Sequence, residues 1–457
     1  MPGALRVFHF LSYLAFRAGE GLIRLLPLEW AFDLGRAGGE LAYRVLRHRR
    51  AVALNNLRLA FGAEMSEPQL RALNRQHFQL LGANLLSGIK ASTLPYDQIW
   101  QRVTAKIPDE RLKTGWIALI SHIGNWELYS HLGEKFPDYR YGAVYQPLAN
   151  PYIDQHIREA RKRSGIKLFD RRTELLSCVR FLREGGVVGV LVDQRAGYAG
   201  VWTPLFRRLT SSSTLAATFS IRSGLPVVPL AINTCGRARW KLTISDPVYP
   251  EGYDAELLTA EINRLLEQQI RREPADWLWA HKRWKPLRPH FLFARDQRRA
   301  FFPPNFDQAT LDRFRILVIS PESADEARKT FAAVSAIQQG RPDTLLSVLA
   351  PTAALDVWKA NSMIDSIIDL GNEDSVGGLA SKIRNCARFD AAIFFASSWK
   401  TALAVWRAGI PVRVGRRFGA TSLLCNQHPI EPAQPLDSER MNLHIAHSVG
   451  ANVNALT

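Results

Sequence analysis

Ile117-Ala118-Leu119-Ile120-Ser121-His122-Ile123-Gly124-Asn125-Trp126-Glu127-Leu128 sets the reading of the first two thirds of the chain. A short apolar run ends in Ser121-His122, turns at Gly124-Asn125 and passes into a helix-like segment through Glu127. Gly124 supplies the backbone freedom such a turn needs. On one regular helix, five residues subtend roughly 140°, so His122 and Glu127 would not share a face. The two meet only if His122 lies on the loop and Glu127 in the first helical turn. Placed so, they are a candidate general base and the carboxylate that orients it. The competing reading is a buried histidine at a strand end beside a glutamate that favours the helix N-terminus.

Outward from this stretch, apolar runs of strand length alternate with helical stretches. Strands are predicted at 116–121, 141–145, 187–193, 226–232 and 238–245, with helices at 127–135, 151–164, 173–184, 213–223 and 254–272. That order predicts an α/β sandwich with a largely parallel sheet. Residues 1–95 read as an N-terminal helical region. Pro286, Pro289, Pro303 and Pro304 among Phe and Arg show no period and mark a linker, placed at 291–312. A second alternating unit has strands predicted at 315–319, 345–349, 366–370, 391–395 and 412–414, the pattern of a Rossmann-like half-domain. The organisation is therefore 1–290, a linker at 291–312, and 313–457.

The chain has 457 residues, 47% hydrophobic and 22% charged, which excludes a disordered protein. A formal net charge of +17 calls for an acidic partner: anionic lipid, an acidic carrier protein, phosphorylated substrates or nucleic acid. Cys178, Cys235, Cys386 and Cys425 form no C-x-x-C, arguing against a disulfide framework or thiolate zinc site. The uncharged run 7–16, bounded by Arg6 and Arg17, is too short to span a bilayer. Phe8, Leu11, Leu14, Leu22, Leu25 and Leu26 recur at helical spacing with Arg6, Arg17 and Arg24 between them. A helix lying at a membrane interface and an ordinary core helix both fit that pattern.

Ser121-His122-Ile-Gly-Asn125-Trp126-Glu127-Leu resembles the signature of the bacterial lipid A lauroyl/myristoyl acyltransferase family, within the lysophospholipid acyltransferase superfamily. Phe169-Asp-Arg171-Arg172, Val190-Leu-Val-Asp193-Gln194-Arg195, Gly224-Leu-Pro226-Val-Val-Pro229 and Trp277-Leu-Trp279-Ala-His281-Lys-Arg283-Trp284 are similar to that family in its order. Val201-Trp-Thr-Pro-Leu-Phe206 and the stretch 210–215 fit its next loop and helix. Where the family commonly has Phe-Phe-Gly, this chain has Leu205-Phe206-Arg207, and Arg207 adopts a positive φ less freely than glycine. The second unit resembles the N-terminal half of family 9 glycosyltransferases of the heptosyltransferase type, through Ile316-Leu-Val-Ile-Ser-Pro-Glu-Ser and Ala408-Gly-Ile-Pro411-Val-Arg413-Val-Gly415 among other runs. Asp325-Glu326 stands where that family usually has Gly-Asp, and a second Rossmann half does not follow within this sequence.

The first resemblance implies a fatty acyl donor on acyl carrier protein, or coenzyme A in some relatives. It also implies a lipid A precursor or similar anionic glycolipid acceptor at the cytoplasmic face of the inner membrane, with the protein peripheral or held by its N-terminal helix. The matching chemistry is acyl transfer to a hydroxyl. A histidine near pKa 6.5 suits the base, so His122 is assigned that role and Glu127 the orienting one. No G-x-S-x-G is present, which favours direct transfer. Asn125, the backbone at Gly124-Asn125 or an arginine are candidates for the oxyanion. Arg171, Asp193, Gln194 and Arg195 are candidate substrate-binding residues at strand ends. Trp277, Trp279, His281 and Trp284 read as packing against the core or the membrane interface. No metal-ligand cluster or cofactor motif is read, and nucleic acid is disfavoured because the aromatics form no known binding module. A glycosyltransferase-related role, or non-catalytic envelope-lipid binding through the second unit, is the alternative.

Overall fold

The computed structural model describes residues 3–106, 114–197, 200–284, 300–341, 343–371, 375–396 and 398–452. Chain contacts separate one unit, Met1–Trp284 with Phe301–Phe306, from a second built on Asp307–Thr457. The part of the expected linker at 291–299 lies outside the described residues. Its remainder is not uniformly a spacer, because the Phe301 amide donates to Trp202 O at 2.7 Å within the first unit.

The first unit opens with four helices: α1 (Gly3–Leu25), α2 (Leu28–Val45), α3 (Arg47–Phe61) and α4 (Glu67–Ala91). Ser66 starts α4 through a capping box, its own amide donating to Gln69 Oε1 at 2.8 Å. α2 and α4 approach backbone to backbone. A Cβ added at Gly39 would lie 2.0 Å from Phe78 O, and one at Gly82 2.2 Å from Gly35 O. Only glycine admits that contact.

Among the described residues nine strands follow: β1 (Val103–Lys106), β2 (Trp116–Ile120), β3 (Arg140–Tyr145), β4 (Lys167–Asp170), β5 (Gly186–Leu191), β6 (Val201–Leu205), β7 (Arg208–Ser212), β8 (Val227–Gly236) and β9 (Arg239–Ile244). Seven make one sheet in the order β1-β9-β8-β2-β5-β3-β4, parallel except for the β8/β9 pair. β2 is central, and its residues 116–119 are buried on both faces, as expected of a strand covered by helices on both sides. The helix Ala255–Arg272 and the neighbouring Leu175–Arg183 and Leu215–Ser223 pack on one face around Ile117, Leu119, Val188 and Val190. The other face carries Trp116, Ala118, Leu230, Ile232 and Trp240, packed with residues of α2 and α4.

The stretch expected as a loop and helix, 201–215, is instead the β6/β7 hairpin, with the helix starting at Leu215. Its two-residue turn puts Phe206 at φ 51° and Arg207 at φ 57°. Both are left-handed, the geometry that matches strand twist in a tight hairpin. Arg207 therefore does adopt the conformation for which glycine is the usual residue.

The second unit contains β10 (Phe314–Ile319), β11 (Thr344–Ala350), β12 (Ser366–Asp369), β13 (Ala391–Phe394) and β14 (Val412–Val414). They form one parallel sheet in the order β12-β11-β10-β13-β14. The crossover between β10 and β13 makes it a Rossmann-type half. Its core, including Ile316, Val318, Val348, Ile393 and Trp358, is fully buried.

Candidate active site

β2 ends at Ile120, and its parallel neighbour β5 ends in register with it, Ile120 beside Leu191. Two residues beyond each end, His122 and Asp193 meet at the carboxyl edge of the sheet, where α/β folds collect their ligands. His122 Nδ1 lies 3.0 Å from Asp193 Oδ1 and 3.2 Å from Oδ2, and the His122 amide donates to Oδ2 at 2.8 Å. The Trp277 indole Nε1–H donates to the same oxygen at 3.0 Å. Asp193 is 2% exposed, yet its oxygens meet three donors. Burial opposes ionisation of Asp193, but the facing imidazole and these hydrogen bonds outweigh it and hold its pKa below the ordinary value. Burial likewise lowers the His122 pKa, and the Asp193 charge and hydrogen bond, with a smaller contribution from Glu127, raise it on balance above 6.5. With Nδ1–H directed at the carboxylate, Nε2 carries the basic lone pair.

The orienting hydrogen bond expected of Glu127 is thus made by Asp193. The turn after Gly124 enters a 3₁₀ helix, Trp126–His131, and leaves Glu127 exposed with Oε1 accepting the Trp126 indole N–H at 3.1 Å. Glu127 reaches His122 through its field. The Trp126 ring stands edge-on to the imidazole, centroids 5.1 Å apart.

Gly124 is held at φ +56°, and a Cβ there would sit 1.9 Å from Ile232 O on β8. Its amide donates to Asp276 O at 3.1 Å, which takes that N–H out of the oxyanion candidates. Asn125 is 1% exposed, and its Nδ2 points to Ser87 Oγ of α4 at 3.4 Å, so the amide anchors the turn rather than facing a substrate. Gln194 is exposed, and the Arg195 amide donates to His281 Nε2 at 3.2 Å. Arg171 lies exposed at the end of β4, its Nη1 3.5 Å from Gln146 Oε1.

Of the residues read as packing, Trp277, Trp279 and Trp284 are buried and His281 half-buried, and their segment also braces the site. Ile123 and Trp277 form an antiparallel bridge, and the Leu278 amide donates to His122 O at 3.0 Å. Asn56 on α3 holds Trp279 O and His281 O at 2.8 and 2.6 Å. Arg283, 0% exposed, donates to Ser211 O at 2.6 Å and Ser212 Oγ at 2.8 Å, tying the segment to β7. The sequence signal for this role was the density of Trp, His and Arg in one short run. Beside His281 opens an apolar cavity of about 510 Å³, lined by Gly39 and Ala42 of α2, Leu46 just past its end, Leu81 and Leu85 of α4, and Leu278.

An imidazole held through Nδ1–H by a buried carboxylate can take a proton from an alcohol at Nε2. The family model for bacterial lipid A biosynthesis acyltransferases matches residues 4–286, more than half of the chain. The lipid A biosynthesis lauroyltransferase of Escherichia coli K12 is 29% identical over 274 residues, 58% of this chain and 88% of that protein. A lipid A biosynthesis acyltransferase of Haemophilus influenzae is 25% identical over 293 residues, 57% and 92%. The E. coli palmitoleoyltransferase of lipid A biosynthesis is 25% identical over 271 residues, 57% and 86%. Among solved structures, E. coli ADP-heptose LPS heptosyltransferase II is 25% identical over 30% of this chain and 41% of that one, with a TM-score of 0.27. A family 9 glycosyl transferase from Veillonella parvula gives 18%, 31%, 42% and 0.26. Both matches span less than half of the solved chains. With more than half of its residues on that family model, the chain is an acyltransferase of the bacterial lipid A biosynthesis family.

Proposed function

We propose that this enzyme moves a fatty acyl group from an acyl carrier protein or coenzyme A thioester to a hydroxyl of a lipid A precursor or similar glycolipid. The acceptor O–H gives its proton to His122 Nε2 as its oxygen attacks the thioester carbon. The tetrahedral intermediate collapses, the C–S bond breaks, and the departing thiolate sulfur takes the proton back from the imidazolium. Asp193 holds Nδ1–H, fixes the tautomer and stabilises the imidazolium between the two proton transfers. The exposed carboxylate of Glu127 adds to that stabilisation at longer range.

The observation that carries this reading is the His122–Asp193 contact at 3.0 Å; Leu278, whose amide donates to His122 O, and His281 line the apolar cavity of about 510 Å³. The acyl chain lies in that cavity, against the glycine-paved seam of α2 and α4. Among the described residues no helix is long and apolar enough to cross a membrane. Exposed Phe8, Leu11, Leu22 and Leu25 on α1, and Trp30, Leu41 and Val45 on α2, support peripheral membrane binding; the cytoplasmic face of an inner membrane is the proposed surface. Purified protein, acyl carrier protein thioesters of several chain lengths and a lipid A precursor test the activity. Transfer that is absent for every chain length rejects the reading.

A further inference from the structure

Four arginines gather at the same sheet edge as His122, three strands away. Tyr145 ends β3 and Asp170 ends β4, and the two are in register. Ala143 pairs with Gly189, which puts Tyr145 level with Leu191, itself beside Ile120. Ile120, Leu191, Tyr145 and Asp170 thus form one row, and three strand spacings separate β2 from β4, about 14 Å.

Over the end of that row lie Arg158 and Arg161 from the helix Pro151–Arg163, their guanidinium carbons 5.9 and 5.5 Å from the Tyr145 ring centroid. Arg171 and Arg172 follow β4, both exposed, the Arg171 amide donating to Tyr145 O at 3.1 Å. The carboxylates nearby face other donors. Asp154 accepts the Tyr145 hydroxyl at 2.5 Å and the Leu148 amide at 2.7 Å. Asp170 accepts the Arg172 and Thr173 amides at 2.7 and 3.3 Å. Among the described residues, no ion pair joins Arg158, Arg161 or Arg171 to a carboxylate. Here the guanidiniums of Arg158 and Arg161 rest on one aromatic ring and that of Arg171 makes a weak amide contact, Arg158 and Arg171 being exposed and Arg161 half-buried.

An anchored fork of this kind fits a phosphate. Its spacing from His122 fits an extended arm: pantetheine is about as long as four or five extended residues, roughly 15 Å. We infer that Arg158, Arg161 and Arg171 bind the phosphate of a phosphopantetheine-bearing acyl donor, one arm's length from His122. Its arm runs along the sheet edge past Asp193 and delivers the thioester to the imidazole. This rests on the thioester-donor reading above and names where the donor is gripped.

The test compares lauroyl-phosphopantetheine with lauroyl-pantetheine as donors to a lipid A precursor, in wild type and in the double variant Arg158→Ala/Arg161→Ala. Wild type should show a KM for the phosphorylated donor about tenfold lower, the usual worth of a hydrogen-bonded charge. The double variant should erase that difference, leaving kcat and the KM for the unphosphorylated donor unchanged. Equal losses on both donors would mean a structural role and overturn the inference. So would a rise in KM for the phosphorylated acceptor with no change for the donor. Calorimetry with phosphopantetheine and pantetheine alone reads the site without turnover: binding without transfer rejects the acyltransfer reading but not this site, whereas transfer without a phosphate preference rejects the site alone.

Discussion

Replacing Asp193 by Asn removes one charge and almost no volume. Asp193 holds His122 Nδ1 at 3.0 Å and the Trp277 indole at 3.0 Å. An Asn can still accept from Trp277, but its amide N–H would then face Nδ1. The imidazole must turn its lone pair inward and its proton outward, leaving no base at Nε2. Two unit charges about 3 Å apart interact by roughly 5 kcal/mol in a medium of effective dielectric near 20, an upper bound on what the imidazolium loses. A wrong-tautomer asparagine in a hydrolase triad costs about 10⁴ in turnover. The expected fall in kcat is therefore about 10³- to 10⁴-fold, or roughly 4–5 kcal/mol, with KM little changed. The assay is initial-rate acyl transfer at saturating donor across pH 5–9. In wild type, activity should rise with pH as His122, its pKa raised above 6.5, loses its proton. In the variant the residual activity should reach its plateau at lower pH, because the carboxylate that raises that pKa is gone. Glu127→Gln is the comparison. Its exposed carboxylate acts only through its field, so a loss near tenfold that shrinks with added salt is expected. Turnover of Asp193→Asn within tenfold of wild type, or a larger loss at Glu127 than at Asp193, refutes the role given to Asp193.

Gly124→Ala puts a Cβ 1.9 Å from Ile232 O at a positive φ, so the loop bearing His122 must shift; kcat should fall about 100-fold, as for other displacements near 1 Å, measured in the same transfer assay. Asp276 is buried, and its desolvation raises its pKa to about 6 from the ordinary 3.8. The folded state holds that proton more tightly, so its stability should decline as pH rises from about 4 to 6 and level off above, a span of roughly 3 kcal/mol. Asp276→Asn should lack this decline, so thermal melts should show its Tm gaining on wild type across that window. Arg207→Gly relieves a left-handed residue worth about 1–2 kcal/mol, less the roughly 0.5–1 kcal/mol of glycine entropy. A small gain, near 0.5–1 kcal/mol in urea unfolding, is expected.

The alternation of apolar runs and helices was legible because period and length separate the two element types cleanly here. β2, β3, β5, β8 and β9 all lie where the sequence reading put them, within a few residues. β4 gives no strand signal, because Lys167–Asp170 is four residues long with no apolar alternation. The β6/β7 hairpin was obscured because its turn uses Phe206-Arg207 instead of a glycine pair. At the site, His122 and the Gly124 turn were visible in one continuous stretch. The partner of His122 was not, because Asp193 is 71 residues away and only the β2/β5 pairing brings it there. A glutamate five residues along was the natural local candidate. Asn125 had a polar side chain at the right place, but burial against Ser87 turns it from the substrate to the scaffold. The α2/α4 glycines carry no local signal, because close helix approach depends on which helix lies opposite.

The most direct test of the central claim is turnover by His122→Ala with an acyl carrier protein thioester and a lipid A precursor. A drop of at least 10³-fold, with the acidic limb of the pH profile abolished, is the expected result. Undiminished transfer by that variant would contradict a catalytic role for the imidazole.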